Sequence, residues 1–490
     1  MEKLWVWILI LLLVVMLIVL SVLLLKKPSR DTFQQTPIKD TMIDKKDVAL
    51  KNIALKESGF YSLATMLQAT FGSHIYLSPD DKNFVGFNVI TPLPDTLQEF
   101  NKRKNLIETP NLDVIYAPSV IDLRRQAVKL VLPNDVSKRY YIVQFISLIA
   151  EDVATISSKT NAGQIREWIL YSSSYAPDCM KPLPGYVHSP SVVLYMMIRV
   201  ATNLQDPNDY DDALRFVRQF RLEPYSFPGL PPATTDTLDV FKQTFPDLTD
   251  INVRDFNVDV VDYYNRFVKL LPLQTESLPL YWRIAFSSIG VNPYSYTPTY
   301  AKEMKDALTM TQQFEYNISV KGIPIKNNYN TSQIFYVFNQ DPLANQIEVV
   351  GRAWLYIFAN PPNEAIYFQA SVDSEQKPLD GSGNSRYTLN VPRIPEIVPG
   401  SNGFWSVCSY TMKGFNTLTS DFTVGKGVGS PTKIHLSPNI LDKQSIPSGD
   451  LFLLVPEEPF YIVFRVYAPQ DSILLRGSNP FFPEMIYAMR

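Results

Sequence analysis

The chain has 490 residues, which is too long for one hydrophobic core and predicts at least two domains. Hydrophobic residues make up 46% and charged residues 19%, a composition that excludes wholesale disorder. Lysine and arginine (45) nearly balance aspartate and glutamate (48), and the net charge of −3 excludes the basic excess typical of a nucleic-acid-binding protein.

Near the start of the chain lies an unbroken apolar run from Leu4 to Leu25, in which Ser21 is the only polar side chain. At about 1.5 Å per residue, a helix of this length reaches roughly 33 Å and can cross a hydrocarbon core of about 30 Å. A cleaved signal peptide is the alternative, but the run is too long and lacks a small-x-small cleavage site. We therefore expect residues 1–27 to be an uncleaved transmembrane anchor whose partner is the lipid bilayer.

The side of the membrane that the rest of the chain occupies stays open. Lys26 and Lys27 follow the apolar run, and the positive-inside tendency then places the body in the cytoplasm. Two glycosylation sequons, at Asn317 and Asn330, favour a lumenal or external body instead.

After the anchor, the polar residues 28–47 read as a linker, and residues 48–226 as a β-rich N-terminal domain. Its first segment, 48–67, has helical periodicity. Short β-like runs follow at 114–116, 119–123, 128–132, 140–146 and 191–200. Asp209 to Phe220 is predicted to be an amphipathic helix, because its apolar residues share one face.

The second half of the chain changes character twice. Residues 227–345 are mixed and favour a helix-rich connector. Residues 346–490 contain many short apolar or alternating runs separated by turns, which predicts a C-terminal sandwich or jelly-roll domain. The predicted fold class is therefore mainly β with helical insertions (α+β), comprising a transmembrane helix and two β-rich domains.

The segment Thr-Pro-Asn-Leu-Asp-Val-Ile-Tyr at 109–116, followed by Ile-Asp-Leu at 121–123, resembles the signature of the domain-of-unknown-function 1254 family. The C-terminal part resembles the companion 1214 family, through Glu-Ala-Ile-Tyr at 364–367, Phe-Trp-Ser-Val at 404–407 and Arg-Val-Tyr at 465–467. The resemblance implies a two-part β-rich fold without an established activity. Members of this family include exported bacterial proteins, with relatives in large DNA viruses.

Several signature positions depart from the family pattern. Val114 stands where the family usually has threonine, and Ser147 replaces an acidic residue. Chemistry carried by those positions in relatives would be lost here. The Asn-, Tyr- and Ile-rich composition, together with the anchor, suits a viral membrane or virion protein.

The sequence assigns no catalytic residue, cofactor or metal ion. It contains no Walker loop, no Gly-x-Gly-x-x-Gly fingerprint and no Gly-x-Ser-x-Gly elbow. The three histidines are scattered, and Cys179 and Cys408 have no metal-ligand spacing. The two cysteines read better as separate buried thiols than as a disulfide.

The most interesting polar side chains are Asp113, Tyr116, Asp122, Arg139 and Tyr140, because carboxylates, a guanidinium and phenols at strand ends suit a small-molecule or sugar site. The structural alternative is favoured: Asp122 caps a turn, Arg139 pairs with a carboxylate, and the tyrosines are core residues. Trp405 is a candidate stacking platform for a ligand, but a tryptophan in an apolar strand is more often a core residue.

Two functions remain after this reading. The favoured one is a non-enzymatic, membrane-anchored structural or binding protein, with further copies of itself or other virion proteins as partners. The alternative is an exported small-molecule-binding protein or enzyme that uses a site around Asp113, Asp122 and Arg139.

Overall fold

The computed structural model describes residues 86–91, 93, 110–147, 152–161, 164–172, 175–176, 183–189, 192–203, 206, 208–232, 323–324, 329–331, 359–392, 396–412, 423–426, 432–470 and 484–489. Within these ranges the chain is mainly β and forms two domains, as the sequence predicted. No helix in the described part has the length and apolar character needed to cross a membrane. The run from Leu4 to Leu25, the linker, the 48–67 helix and most of the 227–345 connector lie outside these ranges.

Two four-stranded sheets form the N-terminal domain. One has the order β1-β7-β3-β4 and the other β6-β5-β2-β8. The strands are β1 (Val114–Asp122), β2 (Ala127–Val131), β3 (Tyr141–Ser147), β4 (Asp152–Ser157), β5 (Glu167–Ser172), β6 (Tyr186–Ser189), β7 (Val193–Ala201) and β8 (Arg221–Tyr225). All pairings are antiparallel except β5 with β6.

Strand β1 runs unbroken through Pro118, where the sequence predicted two separate runs. Proline removes one backbone donor, so it is tolerated in a strand only where that donor is not needed for pairing. Here β1 is the edge strand of its sheet, and the Pro118 carbonyl points away from β7 and accepts from the Thr91 N–H. The missing N–H therefore lies on the side of the strand that faces away from β7.

The N-terminal core lies between the two sheets and is closed by helix α1 (Asp209–Val217). The buried face of α1 carries Tyr210, Leu214 and Val217, the residues that gave the predicted apolar stripe. The helix ends three residues before Phe220, but the Phe220 ring still packs on Tyr141 at 5.9 Å between centroids.

The C-terminal domain has a six-stranded sheet, β14-β13-β17-β11-β10-β9, and a four-stranded sheet, β16-β15-β12-β18. The strands are β9 (Ile323–Pro324), β10 (Asn330–Thr331), β11 (Ala365–Ala370), β12 (Arg386–Val391), β13 (Trp405–Thr411), β14 (Thr423–Lys426), β15 (Thr432–Ser437), β16 (Leu451–Leu454), β17 (Phe460–Tyr467) and β18 (Ile486–Met489). A second apolar core fills the space between these two sheets.

The two domains meet through the sheet β1-β7-β3-β4 of the N-terminal domain and the six-stranded sheet of the C-terminal domain, which we call the inner sheets. The other sheet of each domain is its outer sheet. The contact uses the face of each inner sheet that points away from its own core. Side chains alternate along a strand, so a strand whose odd positions fill the core presents its even positions to the other face. On β3, Tyr141 and Val143 face the N-terminal core, and Ile142 faces the C-terminal domain. The shared cluster contains Tyr140, Ile142, Ala365, Tyr367, Cys408, Tyr410, Tyr461, Val463, Tyr467 and Ala468. We call this contact the interdomain interface.

Candidate functional site

The central strand of each inner sheet places one buried arginine in the interdomain interface. Arg199 lies on β7 with 4% of its surface exposed, and Arg465 lies on β17 with 2% exposed. Each arginine has a tyrosine directly opposite on the neighbouring strand: Tyr116 on β1 is in register with Arg199, and Tyr367 on β11 with Arg465. The two domains thus contribute similar guanidinium and phenol pairs to one contact.

Arg199 bonds across the interface. Its Nη1 donates to Gln144 Oε1 and to Asn360 Oδ1, each at 2.8 Å, and Asn360 belongs to the C-terminal domain. Gln144 Nε2 donates in turn to the Ala359 carbonyl at 2.9 Å and to the Asp152 carboxylate. This chain of polar groups ties the strands β7, β3 and β4 to the segment that precedes β11.

Arg465 lies among aromatic rings. Its Nη1 donates to the Tyr410 hydroxyl at 2.9 Å, and its guanidinium carbon is 5.5 Å from the Tyr410 ring centroid and 5.9 Å from that of Tyr367. Cation–π contacts of this kind stabilise a guanidinium that has left water. The Tyr410 hydroxyl donates to the Pro110 carbonyl at 2.7 Å and so connects Arg465 to the N-terminal domain.

The segment before β1 supplies the N-terminal side of this contact. Asn111 Oδ1 accepts from the Asp113 N–H at 3.0 Å, a local turn bond that leaves its Nδ2 pointing outward to the Tyr467 hydroxyl at 2.6 Å. The Tyr116 hydroxyl accepts from the Asn111 N–H at 2.8 Å. A single short turn therefore positions three side chains of the interface.

Asp113 and Tyr116 are half-buried, unlike the arginines. Burial raises the pKa of the Tyr116 phenol above its ordinary value, and the positive charges of Arg199 and Arg465 offset only part of the rise. Cys408 is a buried thiol whose Sγ lies 3.6 Å from Asn111 Oδ1 and 3.9 Å from Asp113 Oδ2.

A carboxylate lies near each arginine, with one side chain between them. Asp152 accepts from Gln144, the side chain that also accepts from Arg199. Asp113 lies beside the Cys408 thiol, on strand β13, which is the neighbour of the strand that carries Arg465. Nearby opposite charges lower the cost of burying a guanidinium. We call this set of polar side chains the arginine network.

A different environment surrounds Glu364, at the start of β11. Glu364 is fully buried, and neither of its carboxyl oxygens has a hydrogen-bond partner among the described residues. Burial raises the pKa of Glu364 to about 7, with the Ser157 hydroxyl and the Lys159 ammonium lowering it in part. The Ser157 hydroxyl is itself engaged by Thr160 and by the backbone N–H groups of Lys159 and Thr160.

Two further groups complete this second environment. The Tyr140 hydroxyl is buried and lacks a partner among the described residues. Its pKa is raised well above the ordinary value, mainly because of burial and secondly because of the nearby charge of Glu364. Lys159 Nζ donates to the carbonyls of Asn363 at 2.5 Å and Pro469 at 2.9 Å. We call Glu364, Tyr140, Ser157 and Lys159 the Glu364 corner.

Two family models match the chain in the positions of the two domains. The model described as Protein of unknown function (DUF1254) matches residues 87–224, and the one described as Protein of unknown function (DUF1214) matches residues 364–471. The chain belongs to the family that pairs DUF1254 with DUF1214. The resemblance drawn from the signature residues is thereby confirmed.

Two solved structures match most of this chain, and the first of them shares its fold. The VPA0106 protein of Vibrio parahaemolyticus is 20% identical, and the match covers 90% of this chain and 100% of that chain with a TM-score of 0.59. An uncharacterized protein of Burkholderia cenocepacia is 12% identical, and its match covers 90% of this chain and 96% of that chain with a TM-score of 0.43. The search of curated proteins finds no match.

The DUF1254 signature residues do not converge on one site. Asp113 and Asp122 bracket the nine-residue strand β1 and therefore lie roughly 30 Å apart at about 3.3 Å per residue. Asp122 accepts two hydrogen bonds from the Arg124 guanidinium, at 2.9 and 2.7 Å, and one from the Arg124 N–H at 3.0 Å. It therefore caps a turn and forms a local ion pair.

Arg139 lies at the same end of the sheet as Asp113, but its guanidinium is bonded elsewhere. It makes a two-pronged contact with Asp209 at 2.9 and 2.5 Å and a third bond to the Ala201 carbonyl at 3.1 Å. Burial opposes ionisation of Asp209, but the bonds from Arg139 and the Asn203 N–H outweigh it and hold the pKa of Asp209 below its ordinary value. The pair connects the start of α1 to the segment just before β3.

The aromatic candidates separate in the same way. Tyr140 lies in the interdomain interface, with its ring 5.4 Å from that of Tyr467. Trp405 is fully buried in the C-terminal core and stacks on Phe464 at 5.3 Å, so it offers no surface to a ligand. Of the two sequons, Asn330 lies in β10 and Asn317 lies outside the described residues, as does Cys179.

Sequence reasoning missed Glu364 and both arginines as members of the site. Arg199 and Arg465 each stand inside a strand whose other residues are almost all apolar, Val193–Ala201 and Phe460–Tyr467. A charged residue inside such a strand needs a partner, since an isolated buried charge is costly. A single arginine inside an apolar strand, found once in each domain, was the sequence pattern that could have identified these two residues.

Proposed function

We propose that this protein is a membrane-anchored, non-catalytic structural or binding protein that holds one rigid two-domain body beside a bilayer. The observation that carries the proposal is the use of the DUF1254 signature: Asn111 bonds to Tyr467 and the Pro110 carbonyl to Tyr410, so the signature joins the two family domains. A virion or an internal viral membrane is the setting we propose, and further copies of the chain or other virion proteins are the proposed partners.

Membrane fractionation tests the anchor. We expect the native protein to stay in the membrane pellet after alkaline carbonate washing and to leave it only with detergent. Deleting residues 4–25 should release it, and deleting residues 28–47, the matched control, should not. Recovery of the wild-type chain without detergent, or a mature chain that begins beyond Lys27, would contradict the proposal.

A second candidate, a small-molecule-binding protein or enzyme, is favoured by one observation: Asp113 and Tyr116 remain half-buried beside Cys408 and the two arginines. Asp122 and Arg139 would take no part, because they are bonded to Arg124 and Asp209. Native mass spectrometry of the wild type and Asp113→Ala distinguishes the two functions. A co-purified molecule that disappears with an unchanged melting temperature favours the ligand site. Lost stability alone favours the structural role, and Asp122→Ala is the control.

A further inference from the structure

The Glu364 corner differs from the rest of the interdomain interface because its buried carboxyl oxygens have no hydrogen-bond partner among the described residues, and Ser157 and Lys159 offset the cost of burial only in part. Buried carboxyl groups normally accept hydrogen bonds or pair with cations, since desolvation penalises the charged form. Glu364 belongs to the C-terminal domain, and the groups that act on it, Ser157 and Lys159, belong to the N-terminal domain. The state of this one carboxyl group therefore bears directly on the contact between the domains.

We propose that Glu364 is a proton-dependent latch between the two domains: the neutral carboxyl group is accommodated in the interface, and its loss of a proton loosens the contact there. This inference does not depend on the membrane anchor, and the two can fail separately. It adds a regulatory property to the interface rather than a ligand.

The geometry gives the latch a defined set of neighbours. Among the described residues, the titratable and charged groups that act on Glu364 or feel its charge are Tyr140 just before β3, Tyr141 in β3 and Lys159 after β4. The two phenols stay neutral, since burial raises the pKa of each above its ordinary value. Lys159 attracts the carboxylate, but its ammonium is already bonded to the carbonyls of Asn363 and Pro469.

The backbone at Glu364 is itself part of the joint. Its N–H donates to the Pro361 carbonyl at 2.8 Å, and its carbonyl accepts from the Ala468 N–H at 2.9 Å, so it connects the turn before β11 with the end of β17. Because the carboxyl group is buried and has no bonded partner among the described residues, a charged Glu364 can regain water only if the interface around it opens. The expected movement is local opening of the interface, with both cores intact.

Hydrogen–deuterium exchange of the full-length protein in detergent micelles tests the latch at pH 5.5 and pH 8, after correction for the chemical exchange rate. We expect peptides covering β3, β4 and β11 to exchange about tenfold faster at pH 8, because Glu364 titrates between these values. Peptides covering β5 and β12, in the outer sheets, should not change.

Glu364→Gln removes the charge and keeps the shape, so it should exchange slowly at both pH values. Glu457→Gln, at an exposed position of the same domain, is the matched control and should behave like the wild type. Equal exchange of the wild type at the two pH values, a pH difference that survives in Glu364→Gln, or equal acceleration of the outer sheets would each overturn the proposal.

Lys159→Met provides a second test that does not require Glu364→Gln to fold. Removing the ammonium withdraws a charge that lowers the pKa of Glu364, so the midpoint of the exchange transition should move to higher pH. A midpoint that stays in place or moves to lower pH would overturn the latch.

Discussion

The arginine network and the Glu364 corner occupy the same interdomain interface but solve the problem of buried charge in opposite ways. Arg199 and Arg465 are permanently charged, and hydrogen bonds, aromatic rings and nearby carboxylates surround them. Glu364 has no bonded partner among the described residues, and its charge depends on pH. The comparison indicates that one interface combines contacts that do not depend on pH, in the arginine network, with a contact that does, at the Glu364 corner.

Removing an arginine of the network should have the largest effect. Arg465→Met removes the guanidinium that contacts Tyr410 and Tyr367, and losing a charged hydrogen-bond donor together with desolvated cation–π contacts costs about 3 to 5 kcal/mol of unfolding free energy. Urea unfolding of the detergent-solubilised chain measures this. The exposed control Arg218→Met should change the value by less than about 0.5 kcal/mol. Equal effects of the two substitutions would contradict a role for the network.

Neutralising Glu364 should have the next largest effect on the unfolding free energy. At high pH it should stabilise the protein, whereas Arg465→Met destabilises it. The pKa of Glu364 is raised from 4.5 to about 7, so the folded protein binds more protons than the unfolded chain in this window. The stability contributed by the neutral form is fully present below pH 4.5 and is lost as the pH rises through 7. At pH 8 the unfolding free energy of the Glu364→Gln variant should therefore exceed that of the wild type by up to about 3 kcal/mol.

The same comparison at low pH is the control for that prediction. Near pH 4.5, where wild-type Glu364 is neutral in the folded state, the two proteins should differ little in unfolding free energy. A wild-type unfolding free energy that does not fall relative to Glu364→Gln between pH 4.5 and 8 would show that the carboxyl group is not buried as described.

The ion pair between Arg139 and Asp209 sharpens the comparison, because it is partly buried but lies beside α1 rather than between the domains. Arg139→Gln should cost about 1 to 2 kcal/mol, less than the loss of Arg465. The pKa of Asp209 is held below 3.8, so the contribution of the pair is present above that pH and is lost as the pH falls through the folded-state pKa. Unfolding at pH 7 and pH 3 measures both effects. Arg215→Gln, in an exposed pair, is the control.

The smallest effect is expected at the far end of β1. Asp122→Asn weakens a pair with Arg124 that is local in sequence and partly exposed, so the expected loss is about 0.5 to 1 kcal/mol. Glu375→Gln, in an exposed pair with Lys377, should be nearly neutral in the same unfolding assay. A loss at Asp122 as large as that at Arg465 would remove the distinction between interface and periphery.

Much of the fold could be predicted from the sequence, because alternation and apolar runs report directly on buried strands. The strand predicted at 140–146 is observed as Tyr141–Ser147, one residue later at each end, and α1 differed only at its C-terminal end. Strands β5 and β8 were missed, since β5 begins with exposed Glu167 and the partly exposed Trp168, and β8 contains Pro224.

The site was less predictable than the fold. Asp113 and Asp122 are nine residues apart in sequence, but a strand separates them by its full length. Arg199 and Arg465 belong to one interface only because two sheets from different domains pack on each other, and no local pattern predicts which sheet faces meet. The sequence could therefore identify important polar residues without showing which of them share an interface.

A double-mutant cycle on Asn111 and Tyr467 tests most directly the claim that the family signature joins the two domains. Asn111→Leu and Tyr467→Phe each remove one partner of the 2.6 Å bond between the domains, and the cycle isolates their mutual energy from the other contacts of each residue. The account predicts a favourable coupling of about 1 kcal/mol or more in the unfolding free energy. Strictly additive losses would show that the signature residue does not hold the domains together.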